Sequence, residues 1–186
     1  LASAPPGPAR HPMTVSRTER PRYWAVVPAA GVGRRFGASI PKQYLEVEGD
    51  PVIVHTLRVL RRHARIAGVV VVIGADDRHW VRLGIAGDDL MVAEGGDERC
   101  DSVLNGLRAI SARAAENDWI MVHDAARPCL APGDIERLID AVGPADDGGL
   151  LGTPVGDTLK RVDSATAQVE ATVPRDGLWR ALTPQM

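Results

Sequence analysis

The sequence predicts an α/β protein: a doubly wound, mostly parallel sheet over 22–186 with a projecting β-hairpin arm at about 155–175. Three features carry that expectation. Short apolar runs such as Trp24-Ala-Val-Val27 and Gly68-Val-Val-Val-Val-Ile73 are continuous rather than alternating, so both faces of each strand need cover. Segments with apolar residues at helical spacing separate the runs, in strand-helix-strand order. Glycine-rich or acidic segments follow three of the strands, at the edge where open α/β sheets carry their ligands.

Residues 1–21 are rich in Pro, Ala, Arg and Ser, with almost no large apolar side chain to offset the entropy of ordering, and read as a disordered tail. Met13 within it is a candidate natural start, with 1–12 upstream. The first strand begins at Tyr23 and ends at Pro28. Asp50 and Pro51 form an N-cap and first-turn pair for a helix to about His63, with Ile53, Leu57 and Leu60 as its stripe. Residues 68–73 are a central strand, β-branched on both faces. Strand 90–93 leads into a helix from about Arg99, with Asp97 as N-cap and Val103, Leu107, Ile110 and Ala114 as its apolar stripe. Strand 119–123, helix 132–142 and strand 149–153 bring the sheet to four or five parallel strands. Beyond Pro154, residues 158–163 and 168–173 alternate polar and apolar side chains across the small polar run 164–167, as a hairpin does. The sequence stops after Thr183-Pro184-Gln185-Met186 with no closing helix, which reads as a domain cut short.

Of the 186 residues 45% are hydrophobic, enough for one sizeable core. A formal net charge of −2 exerts no general pull on nucleic acid or an anionic membrane, so neither is an expected partner and a phosphate ligand must meet local basic residues. Cys100 and Cys129 lack a Cys-x-x-Cys spacing, which argues against a disulfide framework or zinc knuckle and fits free thiols in a reducing cytosol. No apolar run approaches the ~20 residues of a membrane span and no secretory pattern opens the chain, so the expected location is cytoplasmic.

Chemistry concentrates after the strands. Pro28-Ala-Ala-Gly-Val-Gly-Arg-Arg-Phe-Gly37 is followed by Pro41-Lys42-Gln43-Tyr44. Ala29, Ala30, Gly31 and Gly33 let backbone N–H groups approach phosphate oxygens, while Arg34, Arg35 and Lys42 add positive charge. A P-loop would need Gly-Lys-Ser/Thr, and a dinucleotide fingerprint would need a glycine where Phe36 stands and an acidic residue closing the second strand, so a dehydrogenase is disfavoured. A glycine pair alone is a tight turn; the basic residues point to phosphate. Gly95-Gly96-Asp97-Glu98-Arg99-Cys100-Asp101-Ser102 is either an N-cap loop or, through its backbone and the Ser102 hydroxyl, a reader of a cytosine edge. In His123-Asp124-Ala125-Ala126-Arg127-Pro128, Asp124 either caps the next turn or helps hold Mg²⁺ or a sugar hydroxyl, because magnesium takes one or two carboxylates plus phosphates and water. His123 reads as a packed or hydrogen-bonded residue, without a catalytic role. Thr158, Lys160, Arg175 and Thr183 singly read as solvated surface; together they suit a second phosphate-bearing substrate, with Arg175 able to grip phosphate bidentately.

Taken in order, these three segments with Asp157-Thr-Leu-Lys160 and Leu178-Trp-Arg-Ala-Leu-Thr-Pro-Gln185 resemble the 2-C-methyl-D-erythritol 4-phosphate cytidylyltransferases over 24–185. The resemblance implies a Rossmann-like nucleotidyltransferase. It would transfer a cytidylyl group from CTP to 2-C-methyl-D-erythritol 4-phosphate with Mg²⁺ as cofactor, in the non-mevalonate isoprenoid pathway, as a homodimer joined through the hairpin arm. Arg35 and Lys42 would stabilise the reacting α-phosphorus, and Arg175 counts with them as catalytic. Gly96, Asp97 and Ser102 would select cytosine. Asp124 would sit beside metal, nucleotide and substrate, and Pro28, Ala29, Ala30, Gly31, Gly33 and Ala125 would complete the nucleotide site. Arg127, Thr158, Arg175 and Thr183 would hold the methylerythritol phosphate, Thr158 and Arg175 serving the neighbouring subunit. Family members continue with elements carrying a substrate-orienting lysine and a metal-side aspartate that have no counterpart in this chain, so weak or absent turnover is the expectation for this length. Two other readings stand beside it: a cytidylyltransferase for another polyol phosphate such as ribitol 5-phosphate, and a non-catalytic nucleotide-binding dimerisation module.

Overall fold

In the computed structural model the described residues are 21–31, 40–142 and 147–186. The tail expected over 1–21 therefore lies outside them except for Pro21. Strands and helices follow in the order β1 (Tyr23–Pro28), β2 (Glu46–Val47), β3 (Asp50–Pro51), α1 (Val52–Arg62), β4 (Ile66–Ile73), α2 (Arg78–Leu83), β5 (Leu90–Glu94), α3 (Arg99–Ser111), β6 (Trp119–Val122), α4 (Pro132–Ala141), β7 (Leu150–Pro154), β8 (Leu159–Val162), β9 (Val169–Val173) and β10 (Trp179–Gln185). Among the described residues a 3-10 turn, Lys42–Tyr44, stands between β1 and β2.

Successive side chains of a strand point to opposite faces, and β1 and β4 are apolar at every interior position. Trp24 and Val26 of β1, with Val70 and Val72 of β4, therefore bury themselves against Ile110 of α3 on one face. Ala25, Val27, Val69 and Val71 bury themselves on the other face against Ile53, Leu57 and Leu60 of α1 and Ile135 and Ile139 of α4. The result is a sheet with helices on both sides, as the continuous runs require.

The sheet has six strands in the order β5-β4-β1-β6-β10-β7. β1 is parallel to both β4 and β6, and β4 to β5. β10 is antiparallel to β6 and to β7, so β7 runs with the first four strands and the expected four or five parallel strands are present. The expected hairpin is β8 with β9, an antiparallel pair forming a sheet of its own, with most of its residues exposed. From β1 the chain builds outward through β4 to β5, then α3 returns it to β6 on the other side of β1. That reversal of direction is the switch point, where the carboxyl ends of β1 and β6 part and a crevice opens.

Two helix starts differ from expectation by the side chain that caps them. Asp50 is no cap for α1, because it pairs with Val47 in the short β2–β3 ladder and its carboxylate accepts from Arg58 at 2.5 Å. Asp97 does not cap α3. Glu98 occupies that position, and the Asp101 carboxylate accepts from its N–H at 3.1 Å. Strand β10 and helix α2 were not expected from the sequence. Among the described residues no helix is long and apolar enough to cross a membrane.

Helix α3 lies on β1 and β4 at a distance set by Gly106. A Cβ there would stand 2.6 Å from Val26 Cγ1 and 3.0 Å from Val72 Cγ2, both fully buried side chains. Overpacking of this kind costs about 1–3 kcal/mol, more than the ~1 kcal/mol by which glycine weakens a helix interior. Gly106→Val should therefore lower unfolding stability by about 2 kcal/mol or more in urea melts; an unchanged midpoint would show that α3 can lift from the sheet freely.

Candidate active site

The crevice at the switch point is a cleft of about 490 Å³. Pro28, Ala29, Ala30 and Gly31 leave the end of β1 and form one wall, with Lys42 and Gln43 from the 3-10 turn beside them. Gly96, Asp97, Glu98, Arg99 and Ser102, between β5 and α3, form the second. Asp124, Ala125, Ala126 and Arg127, after β6, form the third. The three segments expected to converge do so on one rim. Gly33, Arg34 and Arg35 lie outside the described residues.

Each wall is fixed by its own hydrogen bonds. The Ala29 N–H donates to the Val72 carbonyl at 2.7 Å, tying the first wall to β4. The buried Gln43 amide donates to the Ala29 carbonyl at 2.7 Å and to the Gly31 carbonyl at 3.2 Å. Its neighbour Tyr44 is buried, stacks on His79 and donates its hydroxyl to Asp77 at 2.7 Å, while Asp77 also caps α2 through the N–H groups of His79 and Trp80. Burial first, and then the Asp77 carboxylate, push the Tyr44 hydroxyl far above its ordinary value and keep it a donor.

On the second wall the buried Ser102 hydroxyl accepts from the Gly96 N–H at 3.1 Å and donates to the Glu98 carbonyl at 3.2 Å, so it shapes the loop. Gly95 and Gly96 have no room for a Cβ: one at Gly95 would meet Ala30 Cβ at 2.3 Å and one at Gly96 would meet Asp101 Cβ at the same distance. The two loops therefore touch through their smallest residues.

Asp124 is the electrostatic centre of the third wall. Its Oδ1 accepts from Arg99 Nη2 at 2.8 Å and Nε at 3.2 Å, and its Oδ2 from Arg127 Nε at 2.9 Å. His123 beside it is buried, with Nε2 facing the Arg127 carbonyl at 3.0 Å and Nδ1 facing the Thr183 hydroxyl at 2.9 Å. A carbonyl only accepts, so Nε2 carries the proton; in the neutral ring Nδ1 accepts from Thr183. Burial pulls the His123 pKa below its ordinary value, which favours that neutral ring. His123 is thus the packed, hydrogen-bonded residue expected.

Thr158 and Arg175 do not reach the cleft. Thr158 is exposed just before β8, and Arg175 donates to the Gly156 carbonyl at the base of the same hairpin. Thr183 reaches the third wall only through His123 and, weakly, through the Asp124 N–H at 3.5 Å. Sequence reasoning missed Gln43 and Arg99: the carbonyl-rich glycine loop was a signal for a nearby amide donor, whereas nothing local marked Arg99 as the partner of Asp124. Among the described residues no group of three or more His, Cys, Asp or Glu side chains is placed to hold a metal ion.

A doubly wound sheet with a glycine-lined, charge-studded cleft at its switch point defines a nucleotide-binding type of α/β protein. The model of the family described as IspD, 2-C-methyl-D-erythritol 4-phosphate cytidylyltransferase, matches residues 23–186, and the chain belongs to that family. It is 52% identical over 169 residues to the 2-C-methyl-D-erythritol 4-phosphate cytidylyltransferase of Azoarcus sp. (strain BH72), covering 89% of this chain and 71% of that protein. The enzyme of that name from Halorhodospira halophila is 52% identical over 170 residues, covering 89% and 69%. Among solved structures, a crystal structure of 4-diphosphocytidyl-2C-methyl-D-erythritol synthase superposes with a TM-score of 0.77 at 39% identity, covering 90% of this chain and 74% of that one. The Francisella tularensis 2-C-methyl-D-erythritol 4-phosphate cytidylyltransferase gives 0.71 at 32% identity, covering 88% and 71%.

Because the folded state resists protonation of His123, the unfolded chain binds the extra proton below about pH 6.5, and stability falls as pH drops through that window. Urea melts at pH 7.5 and 5.5 should show a smaller acid loss for His123→Gln than for the parent chain. An equal loss would mean that His123 plays no part in it.

Proposed function

We propose that this chain transfers the cytidylyl group of CTP to 2-C-methyl-D-erythritol 4-phosphate, yielding 4-diphosphocytidyl-2-C-methyl-D-erythritol and pyrophosphate in isoprenoid biosynthesis. The single observation that carries the reading is the meeting of Gly31, Lys42, Asp97 and Asp124 in one cleft, in a chain about half identical to enzymes of that name. The substrate phosphate is already an anionic nucleophile, so attack on the α-phosphorus needs no general base. Positioning and charge neutralisation are the whole task.

The residues divide that task by place. Backbone N–H groups of Ala30 and Gly31, with Gly33 of the same segment, cradle the triphosphate, and Arg35 acts with Lys42. Lys42 neutralises charge that builds at the α-phosphorus. Gly96, Asp97 and the loop shaped by Ser102 read the cytosine, and Pro28, Ala29 and Ala125 close around the nucleoside. Arg127 flanks the acceptor, and Thr183 supports that wall through His123.

The carboxylate of Asp124, in the cleft that Asp97 and Glu98 also line, fits the way magnesium is held, by one or two carboxylates with substrate phosphates and water completing the shell. When bound there, Mg²⁺ would neutralise the triphosphate. Asp124 would turn part of its carboxylate from Arg99 or Arg127 toward the cation, which frees that guanidinium for phosphate.

The same reading makes the protein a cytoplasmic homodimer in which the β8–β9 arm brings Thr158 and Arg175 to the partner's cleft. In support, both residues lie away from their own cleft, Val162, Val169 and Trp179 leave apolar surface exposed around the arm, and Cys100 and Cys129 are free thiols.

Pyrophosphate release from CTP should require 2-C-methyl-D-erythritol 4-phosphate and be far slower with ribitol 5-phosphate; the opposite preference overturns the acceptor assignment. Lys42→Ala should lower kcat by ~10², comparable to losing one transition-state donor, and a raised KM with kcat intact would contradict its role. Chelation of divalent cations should abolish release and added Mg²⁺ restore it; turnover that survives chelation removes the metal from the scheme. Light scattering should give twice the chain mass, and a monomer that turns over normally would exclude the shared site.

A further inference from the structure

The Pro41-Lys42-Gln43-Tyr44 turn carries more than the lysine. Gln43 is 6% exposed, and its side-chain amide meets two backbone carbonyls, Ala29 at 2.7 Å and Gly31 at 3.2 Å. Carbonyl oxygens only accept, so the group facing them must be the NH₂, whose two hydrogens serve both. In a trans peptide the C=O and the following N–H point opposite ways. Drawing the Ala29 carbonyl toward Gln43 therefore turns the Ala30 N–H away from it, and Gly31, one residue on, is held at its own carbonyl. Both residues belong to the wall that faces the cleft.

The donor itself is anchored. Tyr44, next in the chain, is bound to Asp77 and stacked on His79 with ring centroids 5.0 Å apart, and the Tyr44 N–H closes the 3-10 turn on the Pro41 carbonyl at 2.9 Å. The Ala29 N–H is held by β4. A loop of small residues has little side-chain packing to define its shape, and such loops adopt many conformations unless backbone groups are tied. Among the described residues, one side chain ties both the Ala29 and the Gly31 carbonyl.

We propose that Gln43 is a positioning residue: by holding the Ala29 and Gly31 carbonyls it presets the Ala30 and Gly31 backbone to receive triphosphate oxygens before nucleotide arrives. This rests on the cytidylyltransferase reading for its consequence in turnover, and on the geometry alone for its effect on the loop. A preset loop avoids the ordering cost on binding, so its loss falls on the nucleotide and leaves the acceptor untouched.

The test uses the full chain with Gln43→Met, close in size but without a donor, and Gln43→Asn, whose amide falls short of both carbonyls. In nucleotide-free ¹⁵N-labelled protein the Ala30 and Gly31 amide resonances should shift or broaden, while those of α1 and α4 stay in place. In steady-state assays kcat/KM for CTP should fall roughly 10- to 100-fold, with KM for the acceptor within about twofold. Unchanged Ala30 and Gly31 resonances, or a loss shared equally by both substrates, overturns the proposal. So does failure of both variants to fold, which would make Gln43 a stability residue only. A parent chain that turns over no CTP bears on the cytidylyltransferase reading at this length and not on Gln43, whose role the nucleotide-free spectra still decide.

Discussion

The structure depends on the two-sided burial of β1 and β4. Neither strand offers a polar face, so Trp24, Val26, Val70 and Val72 must be covered from one side and Ala25, Val27, Val69 and Val71 from the other. Cover on both faces forces α3 to cross back over the sheet while α1 and α4 occupy the opposite face. That return crossing places β6 beside β1 on the far side from β4, and the switch point follows. The cleft is thus a consequence of valine placement in two strands as much as of the polar residues that line it.

How much of this was legible depended on whether the information was local. Continuous apolar runs marked β1, β4 and β6, and helical spacing marked α1, α3 and α4, to within a residue or two. β10 was not legible: Trp-Arg-Ala-Leu-Thr-Pro-Gln has no β-branched run, its alternation is weak, and Pro184 removes a ladder donor. It becomes a strand because β6 and β7 leave a gap between them that its backbone fills. The six residues of α2 are too few to show a period. Both cap assignments missed because Asp50, Asp97, Glu98 and Asp101 are chemically similar choices, and only the ladder at Asp50 and the bond from the Glu98 N–H to Asp101 decide between them.

The same division holds in the site. Residues on the three segments were legible, since each follows a strand and strands of one direction end on one edge. The ion pairs were not. Arg99 meets Asp124 across 25 positions of sequence, and the bond forms only because the start of α3 and the end of β6 face each other over the cleft. Together Arg99, Arg127 and Asp124 hold an acid between two bases, a cluster with one surplus positive charge whose guanidinium groups stay engaged until a stronger anion competes for them. Such an arrangement discriminates by charge density: a polyanion can displace the carboxylate where a weakly charged solute cannot.

Placing β10 between β6 and β7 also sets a schedule for assembly. The partners in β1–β4 and β4–β5 all lie before residue 95 and are available once that part of the chain leaves the ribosome. The slot beside β6 must wait for a strand whose Gln185 pairs with Val122, about sixty positions upstream, and β7 has no neighbour in the main sheet until that strand arrives. Long-range pairing of this kind is slow because loop closure must precede its reward. In the interval β6 presents an unpaired edge, which is an attractive surface for chaperones and for sticky neighbours alike.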